Sequence, residues 1–175
     1  MFTYPFFSAL AALSLFIVSA QAATAPAPAV PQLTAAATEF LEAHNQARAA
    51  VGVEPLEWSE KLGKDASLFV RYQRNKFGCG FANLTDSEYG GNQIMAGSVS
   101  VAPRVAVAEW VKEKDFYIHA NNSCVAEHEC GVYTQVVWRD SKEVGCSQAS
   151  CVKEKASLTI CFYDPPGNVV GESPY

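Results

Sequence analysis

The sequence predicts an α+β fold in which helices cover a mainly antiparallel sheet. Apolar residues recur at helical intervals in the first half of the chain, and the period falls to two in the second half. The late strands are also short enough for hairpin joins, which favours helices packed on an antiparallel sheet. With 175 residues, 49% hydrophobic and 18% charged, the composition is that of one globular domain.

The chain opens on an apolar run, Ser8 to Ala20, that ends in Ala20-Gln21-Ala22. That run is too short to span a bilayer, and small residues stand where a signal peptidase reads. Residues 1–22 are therefore expected to be a signal peptide cut after Ala22, although no Lys or Arg precedes the run. Residues 23–37 carry Pro26, Pro28 and Pro31 among alanines, an extended lead-in with too little bulk to pack.

From Thr38 the residues Phe40, Leu41, His44, Ala47, Arg48 and Val51 mark a first helix, with Gly52 as its stop. Ser59 is placed to cap a second helix bearing Leu62, Ala66, Phe69, Val70 and Gln73 and fraying at Asn75 to Gly78. Pro103 suits the first turn of a third, which carries Val105, Ala108, Val111 and Lys112. Two β-branched and aromatic runs, Tyr133 to Trp138 and Ser157 to Tyr163, are predicted strands. Asp164-Pro165-Pro166 ends the second, because proline cannot donate to a ladder. Trp58, Trp110, Trp138 and Tyr133 are expected in the core. His119 and His128 fall in a polar loop without ligand spacing to a partner.

Thirteen Lys and Arg against 18 Asp and Glu give a net charge of −5. Without a basic run the chain lacks the footprint for phosphate backbones, so neither nucleic acid nor an anionic membrane surface is an expected partner. The six cysteines, all from Cys79 onward, include no Cys-x-x-Cys pair. Their spacing matches no common zinc pattern, and after a signal peptide they read as three disulfides, each contributing roughly 2 to 5 kcal/mol. Asn83-Leu84-Thr85 and Asn121-Asn122-Ser123 are glycosylation sequons, the second close to Cys124.

Six strings occur in a fixed order: His44-Asn45-Gln46-Ala47-Arg48, Pro55-Leu56-Glu57-Trp58, Tyr89-Gly90-Gly91-Asn92, Trp110-Val111-Lys112-Glu113-Lys114, Cys130 to Trp138, and Cys161 to Asn168. In that order they resemble the plant pathogenesis-related protein 1 group of the CAP superfamily, over Thr38 to Tyr175. The resemblance implies a three-layer α-β-α sandwich over residues 38–164, with Cys79 paired to Cys151, Cys124 to Cys130 and Cys146 to Cys161. It also implies an extracellular, defence-related protein linked to antifungal action through sterol or lipid binding. With a signal peptide the product is expected outside the cell or in the wall or vacuole, as a monomer, and no Ser or Cys nucleophile sits in a recognisable elbow, so no enzymatic activity is expected.

Typical members place two His and two Glu in a central cleft able to hold a divalent metal. By resemblance the positions here are His44, Gly91, Glu113 and Val132, so half of the set is lost. One imidazole and one carboxylate leave too few ligands for zinc, so no cofactor is expected. His44 is then expected to hydrogen-bond Glu113 and fix the first helix to the third. Gly91 and Val132 should leave the cleft roomier and more apolar, with Ile94-Met95-Ala96 and Val99-Ser100-Val101 as candidate lipid-contacting loops, although core filler is the commoner explanation of such runs. The paired loss resembles a branch of plant relatives found in floral style tissue. A metal-dependent hydrolase using His44 and Glu113 is the alternative reading.

Residues 165–175 resemble a tail that relatives release as a signalling peptide, here after Asp164 and before Pro165. The junction departs from the family at Phe162. A processing protease is the implied partner, a domain that is only a scaffold for the peptide is a further alternative, and a tail fixed over the domain is the competing expectation.

Overall fold

The computed structural model describes Met1, Phe2 and residues 32–175, and the folded body is Gln32–Tyr175. The expected leader and the lead-in as far as Pro31 lie outside the described residues.

Helix α1 (Ala35–Ala49) starts three residues earlier than expected, because the Thr34 hydroxyl accepts the Ala37 N–H and caps it. The lead-in therefore ends at Thr34, and the alanines after it are strong helix formers. Strand β1 (Glu57–Trp58) precedes α2 (Glu60–Phe77). Ser59 occupies the N-cap but makes no side-chain cap bond. Rather than fraying at Asn75, α2 runs on to Phe77 and stops at Gly78, whose φ of 56° suits a residue without Cβ. Strand β2 (Gly90–Ala96) includes Ile94, Met95 and Ala96, so those three are strand and not loop.

Helix α3 (Pro103–Val111) runs into a 3-10 segment, Lys112–Phe116. It buries Ala106, Val107 and Trp110, whereas Val105 and Ala108 face out. A small ribbon follows, β3 (Tyr117–Ile118) against β4 (Ser123–Cys124). Residues Gly131–Val136 then form helix α4, which corrects the strand expected from Tyr133 to Trp138. Tyr133, Val136 and Val137 share one core cluster, and their i, i+3, i+4 spacing is that of a helical face, which the β-branched and aromatic composition of the run obscures. Two N–H groups at the start of α4 reach the Glu113 carboxylate, a partner that no local propensity announces.

Strands β5 (Glu143–Cys151) and β6 (Ala156–Asp164) complete a four-stranded sheet of order β1-β5-β6-β2. The β1–β5 pair is parallel, and the other two pairs are antiparallel. Because successive residues of a strand face opposite ways, β6 feeds two cores. Cys161 and Tyr163 join Phe40, Trp110 and Val136 on the side of α1, α3 and α4. Leu158, Ile160 and Phe162 join Leu62, Ala66 and Val70 on the side of α2. The result is an α-β-α sandwich. α2 lies so near β5 that a Cβ on Gly145 would stand 2.1 Å from the Gly63 nitrogen.

The disulfides are Cys79–Cys151, Cys124–Cys130 and Cys146–Cys161. The last joins directly opposed residues of β5 and β6. Trp110, Trp138 and Tyr133 are buried, and Trp58 is half-buried.

Candidate functional site

The middle of the molecule is organised around His44, which α1 directs onto the sheet. Nδ1 lies 2.7 Å from the Phe40 carbonyl oxygen, which can only accept, so Nδ1 carries the proton. Nε2 lies 2.8 Å from the Tyr163 hydroxyl. Burial pushes the imidazole down to about 4, opposed by the Phe40 carbonyl and assisted by the Arg48 charge. The ring is therefore neutral at pH 7, and the Tyr163 hydroxyl donates to it. Burial raises the Tyr163 phenol far above its ordinary value.

The chain of bonds continues outward. Asn92 Nδ2 donates to the Tyr163 oxygen at 3.2 Å and to the Val132 carbonyl at 2.8 Å. Val132 N donates to Glu113 Oε2 at 3.1 Å, and Tyr133 N to the same oxygen at 3.4 Å. The expected His44–Glu113 bond does not form, since each side chain is already satisfied by other partners. His44 is a core residue with no exposure, while Glu113 is half-buried and serves the start of α4. Desolvation holds the Glu113 carboxyl above its ordinary value, against the pull of the two N–H groups.

Gly91 opens no hollow either. A Cβ there would stand 2.8 Å from Leu84 Cδ1, so the Leu84 side chain fills the space beside β2. That contact corrects the expectation of a roomier cleft, and neither Leu84 nor Val132 offers a metal ligand. His44, Cys146 and Cys161 cluster within 4.8 Å of one another, but the two sulfurs are bonded together and cannot act as thiolates. The residues present do not fit a divalent ion.

Arg48, one helical turn after His44, is fully buried. Its guanidinium donates to the carbonyls of Glu54, Val136, Trp138 and Ser141 at 2.7 to 3.1 Å. Desolvation pushes it down to about 10, so it remains charged at neutral pH. In the sequence Arg48 and Asn92 stand in family-like strings, Tyr163 ends a predicted strand and Leu84 lies in a sequon, but nothing local marks their contacts with the centre. The period-two pattern of the last strand was the available signal for Tyr163, because it faces the same way as Cys161.

Away from this centre, α1 and α3 enclose a groove of about 580 Å³. Ala43, Ala47 and Ala50 form one wall, and Val105, Ala108 and Val111 the other. Its polar members, Gln46, Arg104 and Lys114, add two positive charges, and Arg104 bonds Glu39 at 2.8 Å.

The tail after Asp164 and Pro165 lies against the domain. Gly167 N donates to Gln135 Oε1, and Asn168 bonds Thr134 and the Gly131 carbonyl. Asn122 holds the Glu172 carbonyl, and Arg139 holds the carbonyls of Ser173 and Pro174. The ring of Tyr175 stacks on His119 at 4.6 Å, and its hydroxyl meets that of Tyr133. His128 likewise stacks on Phe116 at 3.6 Å, and both histidines are exposed. Asn83 and Asn121 are exposed, each accepting a bond from the hydroxyl of its own sequon.

No helix among the described residues is long and apolar enough to cross a membrane. The family model for the cysteine-rich secretory protein family, CAP, matches residues 41–163. The chain is 59% identical over 140 residues to the STS14 protein of Solanum tuberosum, covering 80% of this chain and 65% of that protein's length. It is 43% identical over 137 residues to pathogenesis-related protein PR-1 of Medicago truncatula, covering 78% of each chain. Among solved structures, venom allergen-like protein 4 of Schistosoma mansoni superposes with a TM-score of 0.64 at 24% identity, over 82% of this chain and 95% of that one. At that identity the superposition speaks for the fold alone. The family match and the plant relatives together make this chain a member of the cysteine-rich secretory protein (CAP) family, in its plant pathogenesis-related 1 group.

Proposed function

We propose that the protein is a secreted, defence-related CAP protein without enzymatic activity that binds a sterol or other lipid in the groove between α1 and α3. The alanine and valine walls of that groove carry the reading. Its volume of about 580 Å³ lies within the usual span of small-molecule sites, and such sites are mostly apolar with a few polar groups at fixed places. The centre supports a ligand reading over a catalytic one. Both His44 nitrogens are engaged, Glu113 serves two backbone N–H groups, and all six cysteines are paired.

Of the two readings of the tail, the contacts of Asn168, Arg139 and Tyr175 favour one held on the domain. Release as a peptide after Asp164 would have to break them.

The test is equilibrium binding of a fluorescent sterol to the oxidised protein. Saturable binding is expected, and Ala108→Glu, which places a charge on an outward-facing position of the groove wall, should abolish it. No saturation with sterols or fatty acids would refute the lipid reading.

A further inference from the structure

Charge is distributed unevenly over this acidic chain. Residues 66–81 and 152–155 together hold five cations, Arg71, Arg74, Lys76, Lys153 and Lys155, and one acid, Glu154. Across the whole chain acids outnumber cations, 18 to 13. The Cys79–Cys151 disulfide brings the two segments together. Where α2 ends, a Cβ on Gly78 would lie 3.0 Å from Glu154 Oε1, so the turn between β5 and β6 abuts the helix terminus. None of the five cations forms an ion pair with a carboxylate among the described residues. Arg71 and Arg74 make only local bonds, to the Ser67 carbonyl and the Asn75 side chain.

The same end exposes large apolar side chains. Phe77 and Phe81 are each 59% exposed and flank Cys79, and Val152, beside Cys151, is 74% exposed. Tyr72 packs edge-on against Phe77 at 5.7 Å and is itself exposed, as is Leu68 one turn earlier. Leu68, Arg71, Tyr72, Asn75 and Lys76 follow i, i+3, i+4, i+7, i+8 spacing along α2 and so share its outward face. A soluble core has no use for aromatic rings in water, and a solvated charged face has no use for the rings between its cations.

We propose that this end of the molecule, built from the C-terminal half of α2, Phe81 and the turn of residues 152–155, is a docking surface for anionic lipid bilayers. The cations meet lipid phosphates while Phe77, Phe81 and Val152 enter the headgroup region, the division of labour found in interfacial helices. Aliphatic Leu68 and Val152 favour lipid over an acidic polysaccharide, whose sugar rings need flat aromatic faces. The surface belongs to α2 and the β5–β6 turn, on the other side of the sheet from the α1–α3 groove, and so stands independently of ligand binding there.

Vesicle co-sedimentation of the oxidised, unglycosylated protein tests this, since a glycan on Asn83 would crowd Phe81. The protein should sediment with mixed phosphatidylcholine and phosphatidylglycerol vesicles, not with phosphatidylcholine alone, and binding should fall steeply as NaCl is raised. Removing three charges with R71Q/R74Q/K76Q should lower the partition coefficient by about tenfold or more. F77S/F81S should lose several-fold while keeping the salt dependence, and near-UV circular dichroism verifies the fold. If the phenylalanine variant does not fold, the charge variant decides. Equal sedimentation with both vesicle types, none with either, or variants that match the parent would overturn the proposal. Retention on polygalacturonate without vesicle binding would overturn it in favour of an acidic polysaccharide.

Discussion

His44 Nε2 stands 2.8 Å from the Tyr163 hydroxyl, and neither side chain reaches solvent. This pair joins α1 to β6 through the middle of the larger core, and Asn92 carries the linkage on to the start of α4. A position that resembles a metal ligand in sequence is thus a fully satisfied structural group.

Tyr163→Phe would leave His44 Nε2 and one Asn92 proton without partners. Loss of a buried hydrogen bond that orphans its partner costs about 1 to 3 kcal/mol. Chemical denaturation should show a loss of that size with unchanged slope, and an unaltered midpoint would contradict the role assigned to the pair.

Stability should also depend on pH through His44. Its folded value of about 4 lies below the ordinary 6.5, so between the two the unfolded chain binds the extra proton. The contribution is complete above pH 6.5 and fades as pH falls towards 4, by roughly 3 kcal/mol at about 1.4 kcal/mol per pH unit. Glu113, held above its ordinary value, acts in the opposite sense, favouring the fold as it protonates. Denaturation midpoints across this range should fall on acidification, and His44→Gln should flatten the profile. A variant with the parent's slope would contradict the assignment.

Arg48 is a buried charge whose partners are four carbonyls and no carboxylate. Arg48→Met keeps most of the volume but leaves the Glu54, Val136 and Ser141 carbonyls without the guanidinium, which should cost at least about 3 kcal/mol. Arg48→Lys should rescue little, because an ammonium cannot reproduce the planar fork that spans four acceptors. Thermal unfolding checks both, and a fully stable lysine variant would contradict the argument.

Arg139 ties the tail down near its end, at the carbonyls of Ser173 and Pro174. Arg139→Ala removes the side-chain bond from an exposed residue, so the domain should remain folded while cleavage within residues 165–175 accelerates several-fold. Limited proteolysis read by mass spectrometry is the check, and an unchanged rate would show that the tail is held by its other contacts alone.

The helices and the last strand were legible because their burial patterns are local. Phe40, His44 and Arg48 repeat every four residues along α1, and Leu158, Ile160 and Phe162 alternate along β6. Helix α4 was misread because Tyr133 to Trp138 is β-branched and aromatic, and its deciding partner, Glu113, lies 19 residues away in sequence from Val132. Leu84 beside Gly91 and Tyr163 beside His44 are likewise contacts between distant residues. The loss of two polar cleft positions could be read from the resemblance, but not that Leu84 fills the vacated space.

The apolar groove between α1 and α3 should take a sterol, and the engaged groups of the centre should leave zinc unbound. Native mass spectrometry of the intact oxidised protein, incubated with both a sterol and zinc, reads both masses at once. The expected outcome is a one-to-one sterol adduct, lost in Ala108→Glu, and no bound zinc. A stoichiometric zinc adduct without sterol would contradict it.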